Sequence, residues 1–423
     1  MKRVLLIAFS FMTLFLLSYI EPAAGIEKKT PDLRLGVFDM DVTPPVGYKL
    51  AYGTMVNTYD MGLRAKGIVL IGSDKPIVLV VLDWIGIAND CYDEFKHSIA
   101  VAAGTDPEHV AVHVIHQHDA PYADIHDDFT LAVIHRLSMA VEKAVTKTVP
   151  ITHIGLGEAQ VYKVASTRRP LGKDGKVIDS RFTSCADSSL RAEPEGTIDP
   201  IVSKVSFWDQ EKPVAVLSYY ATHPQSYYRV GVPTPEFPGI ARFYRQLEVP
   251  DAIHVYFTGA GGNVGAGKYN DGSHVNRGIL AKRLADGMTR AWENTKRYPI
   301  TSSEVKWTTD AVALPLDSAK TNKELWLRYK AGKKFDLQCL ALSNKARILF
   351  MPGELFVEYQ LAAKKMRPDL FVAMAAYGDL GPGYIPTAAA FNQGGYEMTV
   401  EKVTPDAEAV LLNAISKLLD AGH

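Results

Sequence analysis

Three histidines lie within six positions of the segment VAVHVIHQHDAP, which covers residues 110–121. The segment otherwise reads as a buried strand, in which successive side chains point to opposite faces. This alternation predicts His116 and His118 on one face and His113 on the other. A His-x-His pair on one face can bind a metal ion, or divide the roles of metal ligand and acid/base catalyst. The pair can equally be structural, and His113 is predicted to be a hydrogen-bonded core residue.

Two more side chains that can bind metals follow apolar, strand-like runs. His223 ends the run VAVLSYYATHP, and Glu354 follows ILFMPG. Taken alone, His223 could be a packing histidine, and Glu354 could compensate the charge at a helix N-terminus. Combined with the histidine pair, they indicate a site for a divalent ion that keeps an open position for water.

Glycine-rich segments follow two further runs. The segment GAGGNVGAG at 259–267 could cradle a phosphate or dinucleotide, but no helix clearly continues from it. A loop that contacts a polar substrate is the favoured interpretation, because glycines allow close backbone approach to a ligand. The segment YGDLGPGYIPTAAAFNQGGYE at 377–397 is predicted to be an ordered loop.

The elements that position these residues alternate between strand and helix patterns without strict regularity. Strand-like runs precede each candidate residue, and helical patterns cover residues 90–103, 129–146, 274–294, 355–365 and 406–419. The predicted class is α/β, or mixed α+β, with mixed β-sheets covered by helices. No linker or repeat divides the chain, which favours a single large catalytic domain.

The N-terminus has the pattern of a secretory signal peptide. Lys2 and Arg3 precede an apolar run, and Ala23, Ala24 and Gly25 provide a small-residue cleavage site. Residues 1–25 are therefore predicted to be removed, leaving 26–423 as an exported chain in the periplasm or outside the cell. An uncleaved membrane anchor is the alternative, and no stable membrane span is expected in the mature chain.

Composition excludes some classes of partner. The 46 Lys and Arg residues nearly balance the 47 Asp and Glu residues, and no basic run stands out, so nucleic acid is not expected to bind. The three cysteines allow at most one disulfide and lack the spacing of a zinc or redox motif. They are Cys91, Cys185 and Cys339.

Five short motifs resemble, in order, the catalytic domain of neutral/alkaline, non-lysosomal ceramidases. They lie between about residues 35 and 397 and read DMDVTPP, HQHDAP, IDPIVSKVSFWD with VAVLSYYATHP, MPGELF, and GYIPTAAAFNQGGYE. Ceramidases of this family are zinc-dependent amidases that cut the N-acyl bond of ceramide. The resemblance implies a ceramidase-like metal-dependent domain over 26–423 with one Zn²⁺ ion, although a His/Glu/Tyr ligand set also accepts iron or other divalent ions.

The resemblance also assigns metal ligands. The family's THTHSGP resembles the segment around His116, its AxHxTS resembles the segment around His223, and its PGE motif contains Glu354. The family's metal-binding tyrosine resembles Tyr384 in YIPT. A second family tyrosine, at the same interval, resembles Tyr396 in YEM.

Three catalytic roles follow from the same resemblance. His118 is implied to shuttle a proton to the leaving amine, and Tyr396 to donate its hydroxyl to the developing oxyanion. The family's NRSP arginine resembles Arg168 in TRRP, with Arg169 as the near alternative. Arg168 is therefore implied to stabilise the oxyanion together with Tyr396.

The sequence departs from the family pattern at three positions. Asn263 and Gly265 stand where the family has an acid and a serine in GDVSPN, and Asp119 stands where it has a serine in HSGP. Asp119 could orient His118 or cap the following turn. No long apolar segment is present to bind two lipid tails, which argues against ceramide as the substrate.

The resulting prediction is an exported hydrolase that cleaves an amide bond with a zinc-activated water. Its substrate would be a small N-acylated molecule, either lipid-like or a saccharide. A metal-dependent lyase or hydrolase acting on an acidic saccharide, with Tyr396 or His118 as the base, is one alternative. An inactive secreted binding protein is another.

Overall fold

The computed structural model describes residues 32–57, 61–72 and 74–420. The signal peptide and its cleavage site lie outside these residues. Pro31–His423 forms one compact unit. None of the helices in the described ranges has both the length and the apolar character that a membrane span requires.

Three sheets contain most of the strands. In spatial order, the first sheet has Val110–Val114, Ile77–Leu82, Arg64–Ile71, Arg34–Asp41 and Val149–Pro150. The second has Ile253–Thr258, Lys212–Tyr220, Ile201–Asp209, His153–Gln160 and Lys296–Pro299. The third has Val305–Val312, Phe335–Leu342, Ala346–Phe350 and Phe371–Ala375. Short two-stranded ladders pair Ser166–Thr167 with Val264–Gly265, Glu354–Leu355 with Tyr384–Ile385, and Lys49–Leu50 with Gly53–Thr54.

Helices connect and cover these sheets. The described α-helices are Asn89–Ala103, Asp128–Thr146, Ser188–Ala192, Glu236–Glu248, Val275–Glu293, Lys323–Lys330, Val357–Met366, Ala388–Gln393, Glu397–Val400 and Ala407–Leu418. Two 3₁₀ turns are Pro107–His109 and Ser302–Glu304. The predicted mixed α/β class, with sheets covered by helices, is confirmed.

Each of the three sheets has a parallel pair of strands at one edge. The pairs are Ile77–Leu82 with Val110–Val114, Lys212–Tyr220 with Ile253–Thr258, and Ala346–Phe350 with Phe371–Ala375. The helices that join them are Asn89–Ala103, Glu236–Glu248 and Val357–Met366. Because the carboxyl ends of parallel strands lie at the same edge, each pair directs its following loops to one place.

Hydrogen bonds join the carboxyl ends of these three pairs to one another. The amide of Val114 donates to the carbonyl of Tyr377 at 3.1 Å, and the amide of Ala376 donates to the carbonyl of Thr258 at 2.9 Å. The hydroxyl of Thr258 donates to the carbonyl of Ile115 at 2.8 Å. The loops that follow strands of all three sheets therefore meet around one centre.

His113 takes part in this junction as a structural residue. Its Nδ1 lies 2.7 Å from the carbonyl oxygen of Ala376, and its ring packs near Phe257 and Phe350. Burial lowers the pKa of His113 to about 4, so the ring is uncharged at neutral pH. The prediction of a hydrogen-bonded core histidine is confirmed.

Two apolar clusters lie on opposite faces of the first sheet. Along Ile77–Leu82, Val78 and Val80 belong to a cluster that includes the helix residue Phe95. The intervening Leu79 and Val81 belong to a cluster that includes residues of the second sheet. Both faces are buried, which explains why this strand is a continuous apolar run rather than an alternating one.

The predicted helices agree with the structure to within two residues at every end. The segment 377–397, predicted to be a loop, instead contains the short strand Tyr384–Ile385 and the helix Ala388–Gln393. The strand predicted through residue 118 ends at Val114. The three cysteines are buried and unpaired in the described part of the chain: Cys91, Cys185 and Cys339.

Candidate metal centre

His116 and His118 lie in an irregular segment after the strand Val110–Val114. The two rings do lie together as predicted, but strand alternation is not the cause. His116 has a left-handed backbone, with φ of 69°, a conformation that costs a non-glycine residue roughly 1–3 kcal/mol. Its amide donates to the carbonyl of Trp84 at 3.0 Å. The turn brings His118 Nε2 to 3.4 Å from His116 Nε2.

Backbone carbonyls fix the orientation of two imidazoles. Nδ1 of His116 lies 2.7 Å from the carbonyl oxygen of Ile85, and Nδ1 of His223 lies 2.6 Å from that of Gly261. A carbonyl oxygen can only accept, so each Nδ1 carries the proton. When such a ring is uncharged, its Nε2 carries a lone pair, the arrangement found in metal-binding histidines.

Glu354 lies in the short strand that follows Ala346–Phe350 of the third sheet, and it brings a carboxylate to the Nε2 atoms of both rings. Its Oε2 lies 3.2 Å from His116 Nε2 and 3.3 Å from His223 Nε2. Oε2 is buried and accepts no hydrogen bond from the residues that the structure describes. The amide of Glu354 donates to the carbonyl of Gly383 at 2.8 Å, which fixes the backbone beside Tyr384.

Burial keeps two of the imidazoles, those of His118 and His223, uncharged. It lowers the pKa of His223 to about 4, and the nearby Arg168 guanidinium lowers it further. Burial also lowers the pKa of His118 well below its ordinary value, with His116 as the next cause. Uncharged rings with lone pairs facing a carboxylate leave a space that suits a cation.

The three imidazoles form a group that could bind a metal ion. One ring nitrogen from each of His116, His118 and His223 lies within 4.8 Å of the others. The geometry therefore permits His118 as a ligand, whereas the resemblance to ceramidases implied a role in proton transfer. The buried Nδ1 of His118 has no hydrogen-bond partner among the described residues.

Tyr384 lies on the other side of His223, next to Arg168. Its hydroxyl oxygen is 3.3 Å from His223 Nε2 and accepts a hydrogen bond from Arg168 Nη1 at 3.1 Å. The same Nη1 lies 3.0 Å and 3.3 Å from the two ring nitrogens of His223. Arg168 therefore contacts the His223 ring on the side of Tyr384.

A buried carboxylate that was not predicted holds two arginines. Glu397 is fully buried, and its two oxygens lie 3.3 Å from Arg168 Nε and 2.9 Å from Arg169 Nη1. Arg169 also donates to the carbonyl of Ala390, away from the imidazoles. Of these two arginines, Arg168 is the one that contacts an imidazole, that of His223. Glu397 follows Tyr396 directly in the YEM motif, and this adjacency was the signal that could have identified it.

Tyr396 lies at the edge of the centre rather than within it. It is 37% exposed, and its ring centroid is 6.2 Å from that of Tyr384. The Cζ of Arg168 lies 5.6 Å from the Tyr396 ring centroid. This position suits a group that contacts a bound molecule.

One cavity of about 1360 Å³ is lined by all seven residues that were predicted for the site. They are His116, His118, Arg168, His223, Glu354, Tyr384 and Tyr396. The structure thus brings together residues that are separated by more than half of the sequence.

Aromatic residues from loops complete the centre. Tyr52 stacks on His118 at 5.1 Å between centroids, and Tyr228 contacts His118 edge-on at 4.9 Å. The buried Tyr377 stacks on His116 at 4.6 Å. Tyr377 begins the segment 377–397 that the sequence singled out, whereas no motif or periodicity marked Tyr52 and Tyr228.

The glycine-rich segment packs against the backbone that carries His223 and Glu354. A Cβ on Gly261 would lie 3.1 Å or less from backbone atoms of Thr222 and His223, and a Cβ on Gly262 would lie 2.4 Å from the carbonyl oxygen of Glu354. Residues 259–267 do not line the cavity. The glycines therefore permit close packing of backbones, and the interpretations as a phosphate cradle or substrate loop are not supported.

Two departures from the ceramidase pattern have clear surroundings. A Cβ on Gly265 would lie 3.5 Å from Arg168 Cγ, so a side chain there would contact the arginine. The carboxylate of Asp119 accepts hydrogen bonds from the amides of Arg229 and Val230 at 2.9 and 3.3 Å. Asp119 therefore orients the loop after His223, and neither of its two predicted roles is observed.

Comparison with solved structures gives the fold. The structure is similar to that of neutral ceramidase from Pseudomonas aeruginosa, with a TM-score of 0.69, 14% sequence identity, and coverage of 92% of this chain and 74% of that chain. It is also similar to a ceramidase complexed with C2, with a TM-score of 0.70, 13% identity, and coverage of 92% and 75%. The chain has a ceramidase-like fold.

Sequence comparisons do not extend this result. The chain matches no protein-family model, and no curated protein matches it significantly. At such low identity, structural similarity establishes the fold, while activity has to be argued from the side chains of the site.

Proposed function

We propose that the chain is a metal-dependent hydrolase that cleaves an N-acyl amide bond. The observation that supports this most strongly is the position of Glu354 Oε2, 3.2 and 3.3 Å from the Nε2 atoms of His116 and His223. Both rings donate from Nδ1 to carbonyl oxygens, so neither neutral ring has a proton to offer the carboxylate. A cation would satisfy all three atoms.

The proposed ligands are His116, His223 and Glu354, with Tyr384 as a fourth. Nitrogen and oxygen donors of this kind suit Zn²⁺, and iron or another divalent ion would tolerate the same set. When bound, the ion would supply Lewis acidity and lower the pKa of a water molecule to about 7.

His118 is proposed to move protons. Its Nε2 lies 3.4 Å from His116 Nε2, and its Nδ1 has no hydrogen-bond partner among the described residues, so a ring nitrogen is available to accept a proton from an attacking water. The protonated ring can then donate that proton to the leaving amine. Since His118 also belongs to the three-imidazole group, metal content has to be measured together with its activity.

Arg168 and Tyr396 are proposed to stabilise the oxyanion of the tetrahedral intermediate. Arg168 is held by Glu397 on one side and by Tyr384 on the other, which orients its donors before the substrate arrives. Loss of one such donor typically lowers kcat by roughly 100- to 1000-fold.

A small N-acylated molecule is the proposed substrate, either lipid-like or a saccharide. The ceramidase-like fold is consistent with an amide, but the centre is surrounded by tyrosines and charged residues that line the cavity. Export to the periplasm or the cell exterior remains a proposal that rests on the signal-peptide pattern of residues 1–25.

Hydrolysis in ¹⁸O-labelled water tests the proposal. The protein would be stripped with a chelator, reloaded with Zn²⁺ and incubated with a panel of N-acyl amides and acidic saccharides. We expect free amine and one ¹⁸O atom in the released carboxylic acid only after reloading, with a His116→Ala variant as the inactive control. An unsaturated, ultraviolet-absorbing product without ¹⁸O would instead establish the lyase alternative. Failure to cleave any amide or acidic saccharide would contradict both reactions.

A further inference from the structure

We infer that Arg229 is a specificity residue that binds a carboxylate of the substrate close to the scissile amide. The inference rests on the proposed amidase function and adds a substrate class to it, namely N-acyl compounds that carry a carboxylate. It follows from the backbone, the side-chain contacts and the charge balance around Arg229.

The backbone of Arg229 is held in an unfavourable conformation. Its φ is +70°, in the left-handed region that non-glycine residues rarely adopt. The buried carboxylate of Asp119 accepts from the amides of Arg229 and Val230 at 2.9 and 3.3 Å. Asp119 directly follows His118, so the segment that carries the proposed proton shuttle also fixes the position of Arg229.

Two tyrosines flank the guanidinium. The Cζ of Arg229 lies 5.4 Å from the ring centroid of Tyr52 and 5.3 Å from that of Tyr228. The same two rings contact His118, one stacked at 5.1 Å and the other edge-on at 4.9 Å. The rings of Tyr52 and Tyr228 would therefore be all that separates an anion bound to Arg229 from His118.

Arg229 also has no counterion among the residues that the structure describes. Across the described ranges its guanidinium makes no ion pair, whereas Arg168, the other arginine lining the cavity, is paired with Glu397. Several cavity acids have partners of their own. Asp90 pairs with Arg328, and Asp127 accepts hydrogen bonds from Tyr48 and from a helix N-terminus.

The shape of the Arg229 guanidinium determines which kind of anion it would bind. A guanidinium is a planar fork that matches a carboxylate through two parallel hydrogen bonds, and aromatic contacts restrict its orientation. Acidic N-acyl amines and acidic N-acetylated sugars both place a carboxylate near an amide. Their shared feature, rather than a long lipid tail, is what Arg229 would recognise.

Matched substrates test this selectivity in the zinc-loaded protein. We expect kcat/KM for N-octanoylglycine to exceed that for N-octanoylethanolamine by about tenfold or more. If the substrate is a saccharide, we expect the same preference for N-acetylneuraminic acid over N-acetylglucosamine. The pair that is cleaved identifies the source of the carboxylate. Arg229→Gln should bring the ratio close to one, mainly through KM, and Arg229→Glu should favour the amine-bearing N-octanoylethylenediamine.

A matched control separates recognition from a general effect of arginine on tyrosine. Arg290 also rests on a tyrosine, with Cζ 5.3 Å from the Tyr162 ring, but neither residue lines the cavity. Arg290→Gln should leave the substrate ratio unchanged. Equal use of acidic and neutral amides by the unmodified protein, or an equal loss on both in Arg229→Gln, would overturn the inference.

Binding measurements keep this test independent of turnover. N-octylsulfonylglycine carries the carboxylate but has no amide to hydrolyse, and its affinity should fall about tenfold or more in Arg229→Gln. If the unmodified protein cleaves no amide yet binds this compound through Arg229, the proposed reaction fails and the recognition role stands. If it cleaves amides and Arg229→Gln binds the compound normally, the recognition role fails and the reaction stands.

Discussion

Glu354 Oε2 lies 3.2 Å from His116 Nε2, although the two residues follow strands of different sheets. The Nδ1 proton of His116 is already donated to the carbonyl of Ile85. When the His116 ring is uncharged, its Nε2 lone pair and the carboxylate face each other without a proton between them. This arrangement is unfavourable unless a cation occupies the centre.

His118→Gln should separate the two possible roles of this histidine. If His118 moves protons, the variant should keep its metal content and lose about 100-fold or more in kcat, because general acid/base catalysis typically contributes that much. Metal analysis and kinetics on the same preparation provide the measurement. Loss of metal together with activity would instead show that His118 is a ligand.

Gly262→Ala should weaken the centre without any change to a ligand. A Cβ there would lie 2.4 Å from the carbonyl oxygen of Glu354, so the backbone beside the carboxylate has to move. We expect metal affinity to fall by about 10- to 100-fold, as for other changes that reorient a ligand. Competition with a chelating dye gives the affinity.

Gly278→Ala is the matched control for this substitution. Gly278 lies in the helix Val275–Glu293, and a Cβ there would have no atom within 4 Å. This variant should gain up to about 1 kcal/mol of stability and keep its metal affinity. Equal metal affinity in the Gly262 and Gly278 variants would refute the packing argument.

Glu397→Gln should destabilise the fold. The change leaves the buried guanidinium groups of Arg168 and Arg169 without their shared negative charge. Breaking a buried ion pair in this way costs about 3–5 kcal/mol, which urea-induced unfolding would measure. Glu211→Gln is the comparison, because Glu211 also pairs with an arginine but is 84% exposed, and its loss should cost about 1 kcal/mol or less.

Asp379 should make stability depend on pH. Burial raises its pKa to about 6, although its carboxylate accepts from the amides of Asn89 and Gly381. The native state therefore binds this proton more tightly than the unfolded state, and its contribution to stability is lost as pH rises from about 4 to about 6.

Asp379→Asn should remove this loss while keeping an oxygen that can accept both hydrogen bonds. Relative to the unmodified protein, the variant should gain roughly 2–3 kcal/mol between pH 4 and pH 7. Urea unfolding at both pH values gives the difference. Parallel pH profiles for the two proteins would show that Asp379 does not titrate in this range.

The sequence predicted the elements of the fold better than their arrangement. Helix periodicity and features such as Gly104, whose φ of 65° ends the helix Asn89–Ala103, are local, so helix ends could be placed within two residues. The order of strands and the three parallel edges depend on contacts between distant segments. Periodicity carries no information about such pairing.

The residues of the candidate site were likewise predicted better than the contacts between them. The resemblance to ceramidases singled out seven residues that line one cavity. The orientation of His116 was predicted from strand alternation, whereas the structure has a left-handed turn at this residue. Tyr52 and Tyr228 could not be found, because they lie in loops with no periodic pattern. Asp119 was recognised as unusual, but its partner, Arg229, lies 110 residues away in sequence.

Metal binding by the unmodified protein and two single variants tests the central claim most directly. Isothermal titration of the chelator-treated protein with Zn²⁺ should give one site per chain. His223→Ala and Glu354→Gln should each weaken it by about 100-fold or more, while His97→Ala, which changes an exposed histidine, should bind normally. No zinc site in the unmodified protein, or unchanged affinity in His223→Ala and Glu354→Gln, would contradict the account.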